Sequence, residues 1–181
     1  DNARSWHEIT AAPVSNFGFA VAVRCDDADT AWFVPGQADQ CRVPVDGALV
    51  VNRTRDGGRS FETLRAGLPQ TDCFDLVYRH GLSVGGDGRH LMMGSTTGNL
   101  WASNDGGDSW RRLEFPDRGT VIWSLAIHPT RPNVMFAGAA PIKLYRSLDG
   151  GESWHRLLGA FAPGHCERAG FDSRVLRITI D

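Results

Sequence analysis

Thr54-Arg55-Asp56-Gly57-Gly58-Arg59-Ser60-Phe61 is answered 49 residues later by Ser103-Asn104-Asp105-Gly106-Gly107-Asp108-Ser109-Trp110. It returns once more as Ser147-Leu148-Asp149-Gly150-Gly151-Glu152-Ser153-Trp154. Each octapeptide, hereafter a box, runs hydroxyl, any residue, Asp, Gly, Gly, any residue, Ser, aromatic. The opening residues, Asp1-Asn2-Ala3-Arg4-Ser5-Trp6, fit the last six positions, with Asn and Ala in place of the glycines. From aspartate to aspartate the steps are 55, 49 and 44 residues. A unit of that length matches one four-stranded propeller blade of roughly 40–50 residues.

Working outward from the boxes, each unit repeats one order. An apolar run comes first (Phe19 to Val23, Asp75 to Tyr78, Val121 to Ile127, Val175 to Ile180). A polar turn and a second apolar run follow, and a third run leads into the box. Short runs bounded by Gly, Asp and Asn at regular spacing read as strands. No stretch carries 3.6-residue periodicity long enough for a core helix. The chain is therefore expected to be all-β: a β-propeller of four-stranded antiparallel blades, in units of approximately 1–10, 17–66, 73–115, 121–159 and 174–181. At 181 residues it offers about four units. A ring of six to eight blades needs about twice that length. A fragment is expected ahead of a half-ring completed by a second copy.

The box is a turn in physical terms. Two glycines after Asp permit positive φ, so the chain reverses tightly. The Asp carboxylate and the leading hydroxyl can bond to turn backbone groups. The closing Phe61, Trp110 or Trp154 can bury large apolar area between neighbouring units. These octapeptides resemble the Asp boxes of bacterial neuraminidase repeats, found in sialidases, xyloglucan-degrading glycosidases, sortilin-type receptors and photosystem assembly factors. That resemblance implies that Asp56, Asp105 and Asp149 are structural clasps between third and fourth strands, on the face away from ligand. The blocks 43–47, 75–80, 94–101 and 117–124 are similar to an uncharacterised bacterial group of Asp-box proteins often labelled sialidase or glycosyl hydrolase.

Composition is that of an ordinary folded domain, with 41% hydrophobic and 22% charged residues. A net charge of −2 gives no electrostatic case for nucleic acid or an anionic membrane. No run of about 20 apolar residues is present, so no transmembrane helix is predicted. Cys25, Cys41, Cys73 and Cys166 lack metal-site spacing. Cys25 and Cys41 could bridge within one unit, with free thiols the competing reading. Asp26-Asp27-Ala28-Asp29 lacks the glycine and distal Glu of a calcium loop and reads as a solvated turn. His165-Cys166-Glu167 has no second cluster to complete a metal site. Asn52-Arg53-Thr54 matches a glycosylation acceptor pattern, but its hydroxyl belongs to the box. Gly85-Gly86-Asp87-Gly88 is not followed by the Lys-Ser/Thr of a phosphate loop. No metal or cofactor is expected.

Chemistry in a propeller gathers at the central mouth, reached by the loops that enter the innermost strands and those joining second to third strands. Those loops hold Asn16, Phe17, Asp72, Asp75, Arg118, Trp123, His165, Glu167 and Arg174, then Asp39, Arg42, Asp46, Thr96, Thr97 and Lys143. Arg79 and His80 are placed after the inner strand that starts near Asp75. A glycosidase needs two carboxylates about 5–10 Å apart, and Asp46, Asp72 and Asp75 are the candidates. Arg79, His80, Arg118, Trp123 and Arg174 are the candidate ligand-binding set. The sialidase resemblance implies an Arg-Ile-Pro start, three arginines on a carboxylate and a Tyr-Glu nucleophile. No Arg-Ile-Pro occurs here, and the only tyrosines are Tyr78 and Tyr145. Two functions follow: a non-catalytic scaffold binding a protein or glycan partner at its mouth, or a glycoside hydrolase using paired carboxylates.

Overall fold

The computed structural model describes residues 4–159 and 173–180. The first three residues of the partial opening box, and the His165-Cys166-Glu167 corner, lie outside the described residues. Three four-stranded antiparallel sheets form, each in simple sequential order. The first holds β1 (Gly18–Arg24), β2 (Asp27–Pro35), β3 (Val51–Thr54) and β4 (Glu62–Leu64). The second holds β5 (Leu82–Val84), β6 (Leu91–Gly94), β7 (Leu100–Ser103) and β8 (Arg111–Leu113). The third holds β9 (Val121–Ile127), β10 (Met135–Ala140), β11 (Lys143–Ser147) and β12 (His155–Arg156). About four units are expected from the sequence, and three complete sheets are seen among the described residues. No helix is long and apolar enough to cross a membrane.

The middle strands of the second sheet are buried on both faces because a sheet lies on either side of them. All four residues of β6 and all four of β7 are buried. Alternation along a strand sends neighbours to opposite faces, and the two cores divide accordingly. Leu91, Met93 and Trp101 join Trp32, Val34, Val51 and Trp110 between the first two sheets. Met92, Leu100 and Ala102 join Ile122, Leu125, Met135, Tyr145 and Trp154 between the second and third. The inner strands β1, β5 and β9 lie side by side, with a parallel bridge from His80 to Ser124.

The inner strand of the second sheet is not the predicted run. Asp75 to Tyr78 forms no strand, and β5 begins only at Leu82. Leu76 and Tyr78 turn their carbonyls to the Thr96 and Gly81 amides instead, at 2.9 and 2.8 Å. Arg79 and His80 therefore precede the inner strand rather than follow it.

Each box connects the third strand of its sheet to the fourth. In the second box the Ser103 hydroxyl donates to Asp105 at 2.7 Å and accepts the Gly107 amide at 2.9 Å. Asp105 also accepts the Ser109 amide at 3.0 Å and hydroxyl at 2.5 Å. The same bonds recur around Asp56 and Asp149. Both glycines of every box have positive φ, between 70° and 94°. They also make room for the preceding sheet. A methyl group at Gly107 would fall 3.0 Å from Leu64, and one at Gly151 would fall 2.6 Å from Leu113.

Ile9 plays the same part at the first box, 2.5 Å from a methyl built on Gly58. Trp6 to Ile9 thus stands to the first sheet as β4 stands to the second. At the other side, Val175 sits against Gly138 as Ile122 sits against Gly94. The Ser124 hydroxyl donates to the Val175 carbonyl at 2.7 Å. The Val175 amide donates to the Ala139 carbonyl at 3.3 Å, and residues 173–180 form no strand among the described residues.

Buried Arg53 in β3 ties two sheets together. Its guanidinium pairs with Glu62, reaches Asp108 at 2.7 Å and donates to the Gly106 carbonyl at 2.7 Å. Trp32 donates to that same carbonyl at 2.8 Å. Cys25 lies in the turn before β2 and Cys41 in the loop after it, and both are free. Nine strand residues at about 3.3 Å each hold them far beyond the roughly 7 Å that a disulfide tolerates, so the bridged alternative is corrected. Asp26 pairs with Arg24 at 2.6 Å and Asp27 accepts Thr30 at 2.7 Å, as in a self-satisfied turn.

Gly67 has a φ of +81°, and a methyl there would lie 1.7 Å from the Trp110 carbonyl oxygen. Gly67→Ala is expected to destabilise by about 2 kcal/mol or more, read as a lower urea midpoint by far-UV circular dichroism. Hydrogen bonds from the Ser60 hydroxyl and amide hold Asp56 down to about 2. Burial works against the Asp105 charge, yet Ser109 and Ser103 outweigh it and hold that carboxyl at about 2. Asp149 is also held well below the carboxylate range, by Ser153 first. A depressed folded-state value gives stability that is present above the unfolded value and lost as pH falls through the folded one. The thermal midpoint is expected to fall between about pH 4 and pH 2. Asp105→Asn should flatten that limb in a pH series of melting curves.

Candidate ligand-binding mouth

The loops at the ends of the inner strands opposite the boxes carry most of the candidate residues. Asp75 is buried and wholly engaged. Its carboxylate accepts the Ser95 hydroxyl at 2.6 Å, the Thr97 hydroxyl, and the Asn99 amide at 2.9 Å. The Cys73 thiol donates to it at 3.2 Å. Burial pushes that thiol up to about 12, so it stays protonated and remains a donor. Asn99 in turn accepts Arg112 at 2.5 Å. The network ties the loop entering the second sheet to the turn between β6 and β7.

An equivalent staple stands one sheet on. Asp117 accepts Lys143 and the Tyr145 hydroxyl, the latter at 2.7 Å. Lys143 first, then Tyr145, holds the Asp117 carboxyl below the usual range. Burial and this bond push the Tyr145 phenol up. In the first sheet the entry loop again accepts, here through a backbone group, with the Asn52 amide donating to the Pro13 carbonyl at 2.6 Å. Sequence reasoning named Lys143 as a loop residue but missed its pairing, because Asp117 lies 26 positions away.

The loops that carry Asp46 and Asp72 abut, and neither carboxylate is among the partners of Asp75. Asp46 sits in the short 3-10 turn Val45–Gly47, at φ 53°, and Asp72 has φ 51°. Their loops abut through the Cys73 amide, which donates to the Gly47 carbonyl at 3.0 Å. Both side chains are exposed.

The most organised feature of the mouth is a row of rings and cations. Phe17 meets Phe19 edge-on at 5.1 Å, and Phe19 meets Tyr78 edge-on at 5.7 Å. Tyr78 stacks on Trp123 at 4.4 Å, with 13° between the planes. Arg42 and Arg79 stand over Phe19 at 5.3 and 5.6 Å, and Arg174 stands over Trp123 at 4.3 Å. Each ring face attracts a guanidinium through its quadrupole. Arg42 is neutralised by Asp39 at 2.6 Å. Arg79 is exposed and pairs with no carboxylate among the described residues.

The row therefore unites Arg79, Trp123 and Arg174 from the candidate set and adds Phe19, Tyr78 and Arg42. Phe19 was legible only as an inner-strand apolar residue. Alternation about Gly18, with Phe on either side, is the signal that both rings share a face. His80 is exposed beside Arg79, and its carbonyl accepts the Leu125 amide at 2.8 Å. Arg118 stands apart from the row. It lies 3.6 Å from Glu114 and lines a separate cavity of about 240 Å³ with Thr97, Asn99 and Arg112.

No protein-family model matches the chain, and no curated protein matches it either. Solved structures do. A GH74 enzyme from Niastella koreensis aligns at 19% identity over 77% of this chain and 22% of its own, with a TM-score of 0.59. YCF48 from Cyanidioschyzon merolae aligns at 21% identity over 77% of this chain and 36% of its own, with a TM-score of 0.56. A structure of YCF48 bound to a D1 peptide aligns at 18% identity over 76% and 39%, again with a TM-score of 0.56. The sheets and these likenesses define a β-propeller protein. At such identities the likeness concerns the fold alone, and the chain covers well under half of each of these proteins.

Losing the Asp75 acceptors would leave the Ser95, Thr97 and Asn99 donors without their shared partner. Asp75→Ala is expected to cost about 2–4 kcal/mol, measured by urea unfolding. Asp72→Ala, on an exposed side chain, should cost under about 0.5 kcal/mol.

Proposed function

We propose that the chain is a non-catalytic Asp-box β-propeller scaffold that binds a protein or glycan partner through its mouth. The observation that carries this reading is Arg79, an exposed cation without a carboxylate partner among the described residues, held on a rigid row of rings. Trp123, Arg174 and neighbouring His80 complete the contact surface, and Arg118 contributes at its margin. The boxes serve as structural clasps, in keeping with their resemblance to bacterial neuraminidase repeats. Asp75 serves as a structural carboxylate, because its oxygens already accept four side chains. Ring completion by further blades, from a second copy or from additional sequence, belongs to the same reading. Val21 and Val23 on one flank and Leu148 and Leu176 on the other stand exposed.

A second reading, a glycoside hydrolase of the sialidase or xyloglucanase kind, rests on Asp46 and Asp72. What supports it is that both carboxylates are exposed on abutting loops, which makes them the candidates for the pair that acid–base hydrolysis requires. Release of reducing sugar from xyloglucan oligosaccharides, and of aryl alcohol from an aryl sialoside, separates the two. The scaffold reading expects no turnover above the Asp46→Asn, Asp72→Asn double variant. Turnover that this variant abolishes, with folding unchanged, replaces the scaffold by the hydrolase.

A further inference from the structure

We infer that the cavity shared by Arg112 and Arg118, between the second and third sheets, binds a small organic carboxylate. It lies apart from the aromatic row and takes no part in the mouth reading. One wall is the turn between β6 and β7, with Thr97 and Asn99, and the other is the segment that joins β8 to β9. Backbone contacts fix the walls against each other. The Ile122 amide donates to the Ser95 carbonyl at 3.0 Å. A methyl group on Gly98 would fall 2.7 Å from the Thr120 carbonyl oxygen.

Asn99 decides what is left to meet a ligand. Its amide nitrogen donates to Asp75 at 2.9 Å, so its carbonyl oxygen is turned to accept Arg112 at 2.5 Å. A neutral acceptor fixes the guanidinium without cancelling its charge. Arg53, Arg42 and Arg111 are each paired with a carboxylate, whereas Arg112 pairs with none among the described residues. The Thr97 hydroxyl is already spent on Asp75. Arg118 meets Glu114 at 3.6 Å, with the two side chains 90% and 86% exposed. An ion pair so exposed is worth little and opens readily to a competing carboxylate. Two guanidinium groups against Glu114 leave one uncancelled positive charge at the cavity, which suits a monoanion. A carboxylate fits the guanidinium fork through two parallel hydrogen bonds, and a guanidinium already pinned loses less freedom on binding. Buried Leu113 and Phe115 also line the space and offer apolar surface to a carbon skeleton. The volume of about 240 Å³ is below the roughly 300–1,000 Å³ of pockets for drug-sized ligands. At ~30 Å³ each, the liquid share of a water, about eight non-hydrogen atoms fit.

The test is isothermal titration calorimetry of the full chain with benzoate and hexanoate. Benzamide and hexanamide serve as neutral counterparts, and phenyl phosphate and inorganic phosphate as the competing anions. Both carboxylates are expected to bind at about 1 mM or tighter, and the amides roughly tenfold more weakly or worse. Arg112→Gln should cost roughly tenfold or more, with circular dichroism matching the parent because the side chain is exposed. Glu114→Gln should tighten binding roughly twofold to fivefold. That variant decides the matter where Arg112→Gln fails to fold, and unchanged affinity there overturns the inference. Carboxylate binding indifferent to Arg112→Gln, amides bound as well as acids, or preference for a phosphate each overturns it, as does failure of both carboxylates to bind. A carboxylate lost with Arg79→Ala but kept with Arg112→Gln lies in the mouth, which overturns the inference and leaves the mouth reading standing.

Discussion

The constraint on which the rest depends is the closure of each box on a single carboxylate. Asp105 gathers two hydroxyls and a backbone amide within one octapeptide, and the bracing of Asp56 and Asp149 is the same. A turn satisfied internally has no need of water or of a neighbour to hold its shape. That freedom lets its glycines serve as bare backbone against the previous sheet, where Leu64 and Leu113 rest. Side-chain polarity within the turn thus makes possible an apolar contact between turns. The trans-sheet bonds of Trp32 and Arg53 to the Gly106 carbonyl lock on to the same shaped backbone.

From this scaffold the mouth inherits its geometry at the opposite ends of the strands. Three unlike networks hold the entry loops there: Asp75 under hydroxyls, Asp117 under an ammonium and a phenol, and Asn52 on a carbonyl. Their common feature is position, from entry loop to third strand. The chemistry is free to vary because any strong donor–acceptor pair between those two points fixes the loop. Functional side chains such as Arg79 then stand on loops that are pinned within two or three residues on either side.

How far the sequence speaks depends on the range of the interaction. The boxes are local, so their eight residues display every partner and their architecture is legible at sight. The propeller follows from their spacing, and so does the structural role of Trp110 and Trp154, both buried. Asp75 to Tyr78 misleads as an inner strand because an apolar run beside a buried carboxylate looks like a strand, while the donors that hold it lie 20 and more positions onward. The aromatic row is still less legible. Phe19, Tyr78 and Trp123 belong to three stretches that meet only where the inner strands converge. Three of the five proposed ligand-binding residues join that row, touch its flank or cap its end, whereas Arg118 is drawn away by Glu114.

Adjacent residues of β6, Met92 and Met93, belong to different cores. The second sheet is accordingly a party wall, and neither room can be emptied without bringing down its plaster. Loosening at Met93 unseats the strand that also presents Met92, so disorder entering on one side reaches the other through a single peptide bond. Coupling of this nearest-neighbour kind carries damage such as methionine oxidation at either position into both cores.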